Sequence, residues 1–424
     1  MRNTPSRSWP GTAPATTAQL LPTLATTLLV FACGCQPSLA DAGAVAAPPA
    51  ATATGPGLVA QKPSSGRFVK TDAGYMVPYR VTIPGSQVSF EMVPIPGGTF
   101  KLGSPSTEAD RGKDEGPQVE IRVEPFWMGK HEVTWDEYDL FIDIYEQLSA
   151  RPPQKIAPDD EADAVSFPTP IYPQDAIPVL QRMGREGGFP AADMTQFGAK
   201  QYTKWLTTIT GQVFRLPTEG EWEYACRAGT TTAFFFGDDA EKLGDYAWHF
   251  DNSEWEDGEH GHPDSDQGYR KVGEKKPNPW GLHDILGNVS EWVVDQYAAD
   301  HYAKIAAKGP LSAVDAAAWP TKVYPRIIRG GHWDSDPEDC RSAARLASEK
   351  DWKIQDPQLP KSVWYHTEAW WAGFRLVRPL RTPDSKVLAQ FWDADVQGIR
   401  DVLKLDKQRR ADVKTIRSLI KPAE

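Results

Sequence analysis

Short runs along the chain alternate between apolar and polar positions. Val119, Ile121 and Val123 are separated by Glu120 and Arg122, which predicts a half-buried strand. Tyr79–Ile83 and Val88–Val93 alternate in the same way, and the second run closes on a hairpin turn at Pro96-Gly97-Gly98. Arg326–Arg329 and Gly373–Val377 predict two further short strands. Helical spacing occurs in three places. Thr134 is a good N-cap for a helix carrying Trp135, Tyr138, Leu140 and Phe141. Phe197, Ala199, Tyr202, Trp205 and Leu206 predict a helix over Met194–Thr208. Thr218-Glu219-Gly220-Glu221 fits the capping box, in which the glutamate reaches back to the cap N–H. Near the C-terminus, Val387, Leu388, Phe391, Val396, Ile399, Val402, Leu403 and Leu405, then Ile416, Leu419 and Ile420, fall at helical spacing. They predict one or two amphipathic helices over 384–424, docked on the main domain or on a second copy.

Elsewhere the pattern lapses. Residues 150–190 are proline-rich and predict a long surface insertion, and most of 230–379 is irregular apart from the short strands. Residues 36–65, rich in Ala, Pro, Thr and Gly, predict a disordered linker, which places a folded domain at 66–380. Residues 1–35 predict an export signal. Arg2 and Arg7 precede an apolar stretch, Leu20–Ala32, too short to span a bilayer. It runs into Cys33 and Cys35, each in a loose version of a lipobox, so lipidation at Cys33 or Cys35 and ordinary cleavage are both open. The chain is thus expected to be exported, periplasmic or anchored as a lipoprotein, touching a membrane only through that lipid.

Composition narrows the fold class. Sixteen Trp, 34 Gly and 37 Pro point to a loop-rich α+β domain whose indoles pin long irregular segments. A net charge of −11 argues against a nucleic-acid partner, which would need a basic footprint.

Nine motifs then appear in order. They are Met92-Val93-Pro94-Ile95-Pro96-Gly97-Gly98-Thr99-Phe100, Leu102-Gly103-Ser104, Asp114-Glu115-Gly116-Pro117, Phe126–Thr134, Arg215–Tyr224, Pro277–Leu282, Gly287-Asn288-Val289-Ser290-Glu291-Trp292, Arg329-Gly330-Gly331-His332-Trp333, and Gly373-Phe374-Arg375. As an ordered set they resemble the formylglycine-generating enzyme (sulfatase-modifying factor) family over about Ser89–Pro379. The resemblance implies a single α+β domain of low regular secondary structure, related to C-type lectin-like folds. Members of that family include copper-dependent enzymes that oxidise a sulfatase cysteine to formylglycine, and iron-dependent sulfoxide synthases with an added histidine-bearing helical domain.

The cysteines limit what carries over. In the formylglycine generators two cysteines, with four residues between them and shortly after the Gly-Gly, bind copper(I), a soft ion that prefers sulfur. Counting from Gly330-Gly331 places Ser335 and Cys340 at those positions, so the pair is broken. The context Cys340-Arg341-Ser342 also resembles a later segment where the family has a structural cysteine, bridged to the one that matches Cys226. The resemblance therefore implies a Cys226–Cys340 disulfide, in keeping with an even pair in an exported domain. A second family bridge maps to Thr203 and Leu376, where both cysteines are missing together.

Three further places are candidate sites. Asp284, Gly287, Val289 and Glu291 match a family calcium site of two side-chain oxygens and two backbone carbonyls, a set of hard oxygen donors. The alternative there is a turn closed by hydrogen bonds. His249, His260 and His262 lie among acidic residues, in a pattern that either a metal or an acidic loop would produce. His332, Trp333, Asp334 and Ser335 would line a groove, with His332 either a pocket residue or a packed structural one.

Three functions follow: an exported binding or accessory module for a protein, small-molecule or carbohydrate ligand; a sulfatase-activating or other thiol oxidoreductase using Cys340 as its catalytic residue; and a histidine-ligated, non-haem iron member. The first is favoured, with calcium as its cofactor and neither copper nor iron. The broken thiol pair disfavours copper, and the short proline-rich stretch before the first motif leaves no room for an iron-binding helical domain.

Overall fold

A computed structural model describes residues 55–149, 156, 163–168, 176–263, 265–405 and 410–420. The signal segment, Cys33, Cys35 and the first part of the predicted linker lie outside the described residues.

Small sheets linked by long loops build the domain. One four-stranded sheet runs in the order Leu346–Ala347, Arg326–Arg329, Ser290–Gln296, Ala372–Gly373. A second runs Val377–Pro379, Phe126–Gly129, Ser89–Ile95, Tyr79–Thr82. Val119–Val123 sits in a three-stranded sheet between Leu311–Ser312 and Gly98–Leu102, with its predicted alternation intact: Val119, Ile121 and Val123 are buried and Glu120 and Arg122 exposed. The turn at Pro96-Gly97 is not the expected hairpin: it carries the chain from the second sheet to this one, since Ser89–Ile95 and Gly98–Leu102 pair with other strands.

The helices start where the sequence signals lie. Trp135–Ile142 follows Thr134. Gln196–Thr210 begins at Thr195, whose hydroxyl accepts the Gly198 N–H at 3.0 Å. Glu219–Arg227 begins at Thr218, and the Glu221 carboxylate accepts the Thr218 N–H at 2.9 Å while also bridging Arg215. The helix Gln196–Thr210 organises one core, with Trp135, Tyr138, Phe141, Tyr202 and Phe374 around it. Glu219–Arg227 organises the other, with Ile121, Phe126, Trp222, Val293 and Ile327.

Three expectations change. Order begins before residue 66, because Leu58–Val59 pairs with Gly74–Met76 in a sheet completed by Val69–Thr71. The described parts of 150–190 are not a surface insertion: Phe167, Leu180 and Met183 are fully buried, and Val165–Ser166 pairs with Arg410–Ala411. The C-terminal extension is three helices, Ser385–Trp392, Gln397–Leu405 and Val413–Leu419. It docks on its own domain through Lys200, whose buried ammonium donates to Gln390 O, Asp393 O and Asp395 Oδ2. Among the described residues no helix is long and apolar enough to cross a membrane.

Candidate functional site

The strands Ser290–Gln296 and Arg326–Arg329 run antiparallel, with Glu291 opposite Arg329. This pairing carries the Gly-Asn turn and the Gly-Gly turn side by side. The Gly287 N–H donates to Gly330 O at 2.8 Å, and the Trp333 N–H donates to Asn288 O at 2.9 Å. The two candidate sites read from separate motifs are therefore one structure.

At its centre are three buried carboxylates, Glu132, Asp284 and Glu291, and one buried guanidinium, Arg375. Arg375 grips Glu291 through two bonds of 2.6 and 2.5 Å, and Trp222 Nε1 donates to the same carboxylate at 2.8 Å. Glu132 accepts from Asn288 Nδ2 at 2.7 Å and from the Val289 N–H at 2.9 Å. Asp284 Oδ2 accepts from the Gly273 N–H at 2.6 Å, while its Oδ1 is buried and has no partner. Burial raises all three acids. It pushes Asp284 up to about 7, and it lifts Glu132 well above the usual carboxylate range, with Asp284 and Glu291 adding repulsion. Glu132 was missed in the sequence because it lies some 150 residues before its partners; only its place in the motif Phe126–Thr134 could have singled it out.

Of the expected calcium ligands, Asp284 has an oxygen to offer, and Gly287 and Val289 lie on the turn beside it. Glu291 is committed to Arg375 and Trp222. The backbone is specialised there. Gly287 has φ +70°, and a Cβ on it would sit 2.2 Å from Trp248 O, so only glycine fits. Ionised, the three acids would outnumber Arg375 by two charges. The unpartnered Asp284 oxygen and that acidic excess fit a hard divalent cation, although among the described residues no three His, Cys, Asp or Glu side chains converge closely enough to hold a metal by themselves.

The segment His332–Ser335 is not a groove lining. The His332 N–H donates to Ser335 Oγ at 3.0 Å and the Ser335 N–H returns to His332 O at 2.9 Å, closing a tight turn. The His332 ring stacks on Trp371 at 4.7 Å, its Nδ1 accepts the Asp334 N–H, and burial pulls its pKa down to about 3. Trp333 is buried, and its carbonyl accepts from Ser253 Oγ at 2.7 Å. Only Asp334 is exposed. His332 is thus a packed, neutral residue whose role is structural.

The implied Cys226–Cys340 disulfide is not formed. Both cysteines are free and fully buried. Cys226 Sγ faces Ser342 Oγ at 3.6 Å, whereas Cys340 Sγ packs under Gly331, so the thiols turn to different neighbours. Burial pushes Cys226 up to about 12 and raises Cys340 further, with Asp339 adding to it. The histidine loop does not converge either. His260 Nδ1 meets Asp257 Oδ2 at 2.7 Å and its ring stacks on Trp255, His249 is buried beside Asp251, and the His262 ring stacks on Trp333.

Comparison with known proteins fits these motifs. The profile of the sulfatase-modifying factor enzyme 1-like domain matches residues 83–379. Formylglycine-generating enzyme of Thermomonospora curvata is 27% identical over 290 residues, 62% of this chain and 90% of that one. Serine/threonine-protein kinase pkn1 of Chlamydia pneumoniae is 27% identical over 295 residues, 68% of this chain, which spans only 39% of the kinase's length. The structure of PvdO from Pseudomonas aeruginosa superposes with a TM-score of 0.48 at 26% identity, covering 71% of this chain and all of that one. With the profile spanning well over half of its length, this chain belongs to the sulfatase-modifying factor enzyme 1-like (formylglycine-generating enzyme) family.

Proposed function

We propose that the protein is an exported binding or accessory member of this family and not a copper-dependent formylglycine generator. The observation that carries the reading is the fate of the two positions after Gly330-Gly331. Ser335 spends its hydroxyl closing the His332 turn, and Cys340 is a buried, protonated thiol packed against Gly331. Copper(I) needs thiolates. A lone thiol raised by burial is a poor ligand and a poor nucleophile. We read Asp284, with the carbonyls of Gly287 and Val289, as holding a calcium ion that balances the buried acids and fixes the Gly-Asn turn; the ion would supply charge and rigidity to the turn.

The test is a copper(I) competition titration of the wild type against Cys340→Ser. Equal, weak binding is expected. Tighter binding by the wild type, or conversion of a cysteine-containing sulfatase peptide to formylglycine, would overturn the reading in favour of a thiol oxidoreductase using Cys340. Stoichiometric iron in the purified protein would point instead to an iron-dependent member.

A further inference from the structure

Away from the two turns, a cavity of about 180 Å³ opens between the domain and its C-terminal extension. Phe197, Trp292 and Tyr324 form one part of its wall, and Ile399 and Val402 of the helix Gln397–Leu405 form another. A dry cavity of about 150 Å³ accommodates a benzene ring, so the volume suits one ring or a short branched chain.

The polar part of the lining is unusual. Lys353 and His366 are both buried there. Lys353 Nζ donates to the carbonyls of Ser362 and Tyr365, which leaves its third N–H unassigned. Neither ring nitrogen of His366 has a hydrogen-bond partner, although the ring is packed between Trp292 and Trp352. A buried imidazole with both nitrogens orphaned is a group awaiting a partner. Arg326 and Lys361 also line the cavity, but Arg326 is paired with Asp395 and Lys361 donates to the carbonyls of Lys353, Ile354 and Asp356, so Lys353 and His366 are the groups with capacity left; no aspartate or glutamate is among the lining residues described. Two buried acids act on Lys353 from outside the lining: Asp356, whose carboxylate accepts the Ser362 N–H at 2.6 Å, and Asp193, whose backbone carbonyl accepts the His366 N–H and whose Oδ1 has no hydrogen-bond partner.

We propose that this cavity binds a small carboxylate with an apolar or aromatic body, its anionic end on Lys353 and His366 and its body against Trp292, Phe197 and the extension helix. Burial, against the opposing pull of Asp356 and Asp193, brings the Lys353 ammonium down to about 7, and an anion placed beside it would further favour the charged form. A carboxylate would also give His366 an acceptor for a ring N–H. The apolar wall supplies the remaining affinity and selects against small hydrophilic anions.

Isothermal titration and ligand-observed NMR of the full-length protein with benzoate, phenylacetate and benzyl alcohol test this. Saturable binding of one of the acids is expected, at least about tenfold tighter than benzyl alcohol, since a charge-assisted contact separates them. Lys353→Met should lower that affinity by about tenfold or more. Because Lys353 also pins two carbonyls, Val402→Trp, which fills the cavity from the partly exposed extension helix, provides an independent check and should abolish binding while the fold is retained. No saturable binding of either acid at millimolar concentration, equal binding of the alcohol, or binding unchanged in Val402→Trp would each overturn the proposal. Copper(I) and carboxylate binding are measured separately, so this inference and the proposed function can fail independently.

Discussion

Arg329 and Glu223 form an ion pair that solvent does not reach: Arg329 Nη2 lies 2.6 Å from Glu223 Oε2, and both side chains are 0% exposed. The pair fastens the helix Glu219–Arg227 to the strand Arg326–Arg329, and hence to the Gly330-Gly331 turn. Its neighbours share the load. Arg227 Nε donates to Glu223 Oε1 at 2.9 Å, and Glu219 accepts from both Arg329 and Arg345. Removing one partner of such a pair leaves a buried charge uncompensated, which costs about 3–5 kcal/mol. Glu223→Gln is expected to lose that much in urea unfolding at unchanged m-value. A loss below about 1 kcal/mol would mean that the remaining acids neutralise Arg329 without it.

Gly331 and Cys340 should be energetically coupled. Gly331 has φ +69°, and a Cβ there would come within 2.5 Å of Cys340 Sγ. Gly331→Ala therefore combines left-handed strain of about 1–2 kcal/mol with a steric clash. Cys340→Ala relieves the clash at the cost of a small cavity. A double-mutant cycle is expected to show favourable coupling of about 1 kcal/mol or more, and additive effects would contradict the packing described.

Neither thiol should react in the folded state. Burial holds Cys226 up at about 12 and raises Cys340, so both are protonated at pH 8. Iodoacetamide labelling followed by mass spectrometry should leave both unmodified in the native protein and modify both in 6–8 M urea, roughly the concentration that unfolds most domains. Labelling of native Cys340 would reopen the thiol-enzyme reading.

The acid cluster predicts a stability profile that calcium reverses. Asp284 has a folded-state pKa of about 7, well above that of an unfolded aspartate. The folded state therefore holds the proton more tightly, and this group's contribution makes the protein less stable as pH rises from about 4 to about 7. A calcium ion on Asp284 needs the ionised form, so added calcium should raise Tm more at pH 8 than at pH 5. Asp284→Asn should gain on the order of 1–3 kcal/mol at pH 8 without calcium and lose the response to it. A calcium response that persists in Asp284→Asn would remove this residue from the site.

The parts of the fold written in local code were legible. Thr134 and Thr218 stand at the starts of the helices they predict, and Val119–Val123 alternates as a strand should. What failed depended on distant partners. The proline-rich run at 150–190 gave no sign that Val165–Ser166 would find a strand at Arg410–Ala411, because pairing across about 245 residues leaves no periodicity in either segment. In the sequence His332 is open to two readings, pocket residue or packed one, and its stacking on Trp371 decides for the second. The motifs located Asp284 and Glu291 but not that Arg375 consumes Glu291, or that Glu132 completes the cluster, since both facts depend on which loops meet. The two cysteines invited pairing by the family resemblance and by their even number, whereas in the structure Cys340 packs under Gly331 and Cys226 faces Ser342.

Asp395 decides whether the C-terminal extension stays seated. Its carboxylate accepts from Lys200 Nζ at 3.0 Å and from both Arg326 Nη atoms at 3.0 and 2.8 Å. Burial pushes its pKa up, but Lys200 and Arg326 outweigh this and hold it below the usual value. The contribution of the bridge is therefore present above the pKa of an unfolded aspartate, about 4, and is lost as pH falls through the lower folded value. Asp395→Asn keeps an amide oxygen but removes the negative charge that Lys200 and Arg326, both buried, share, at a cost of about 3 kcal/mol. Since Arg326 and Lys200 tie Asp395 to the body of the domain, the cost should fall on docking of the extension rather than on the core. Limited trypsin digestion should then cut faster at Lys386, Arg400 and Lys404 in the variant, while the region matched by the family profile stays resistant. Ile399 and Val402 belong to the same extension and wall the cavity, so the variant should also bind benzoate or phenylacetate more weakly. Faster cleavage with unchanged binding would show that the helix is held over the cavity by its apolar face and not by Asp395.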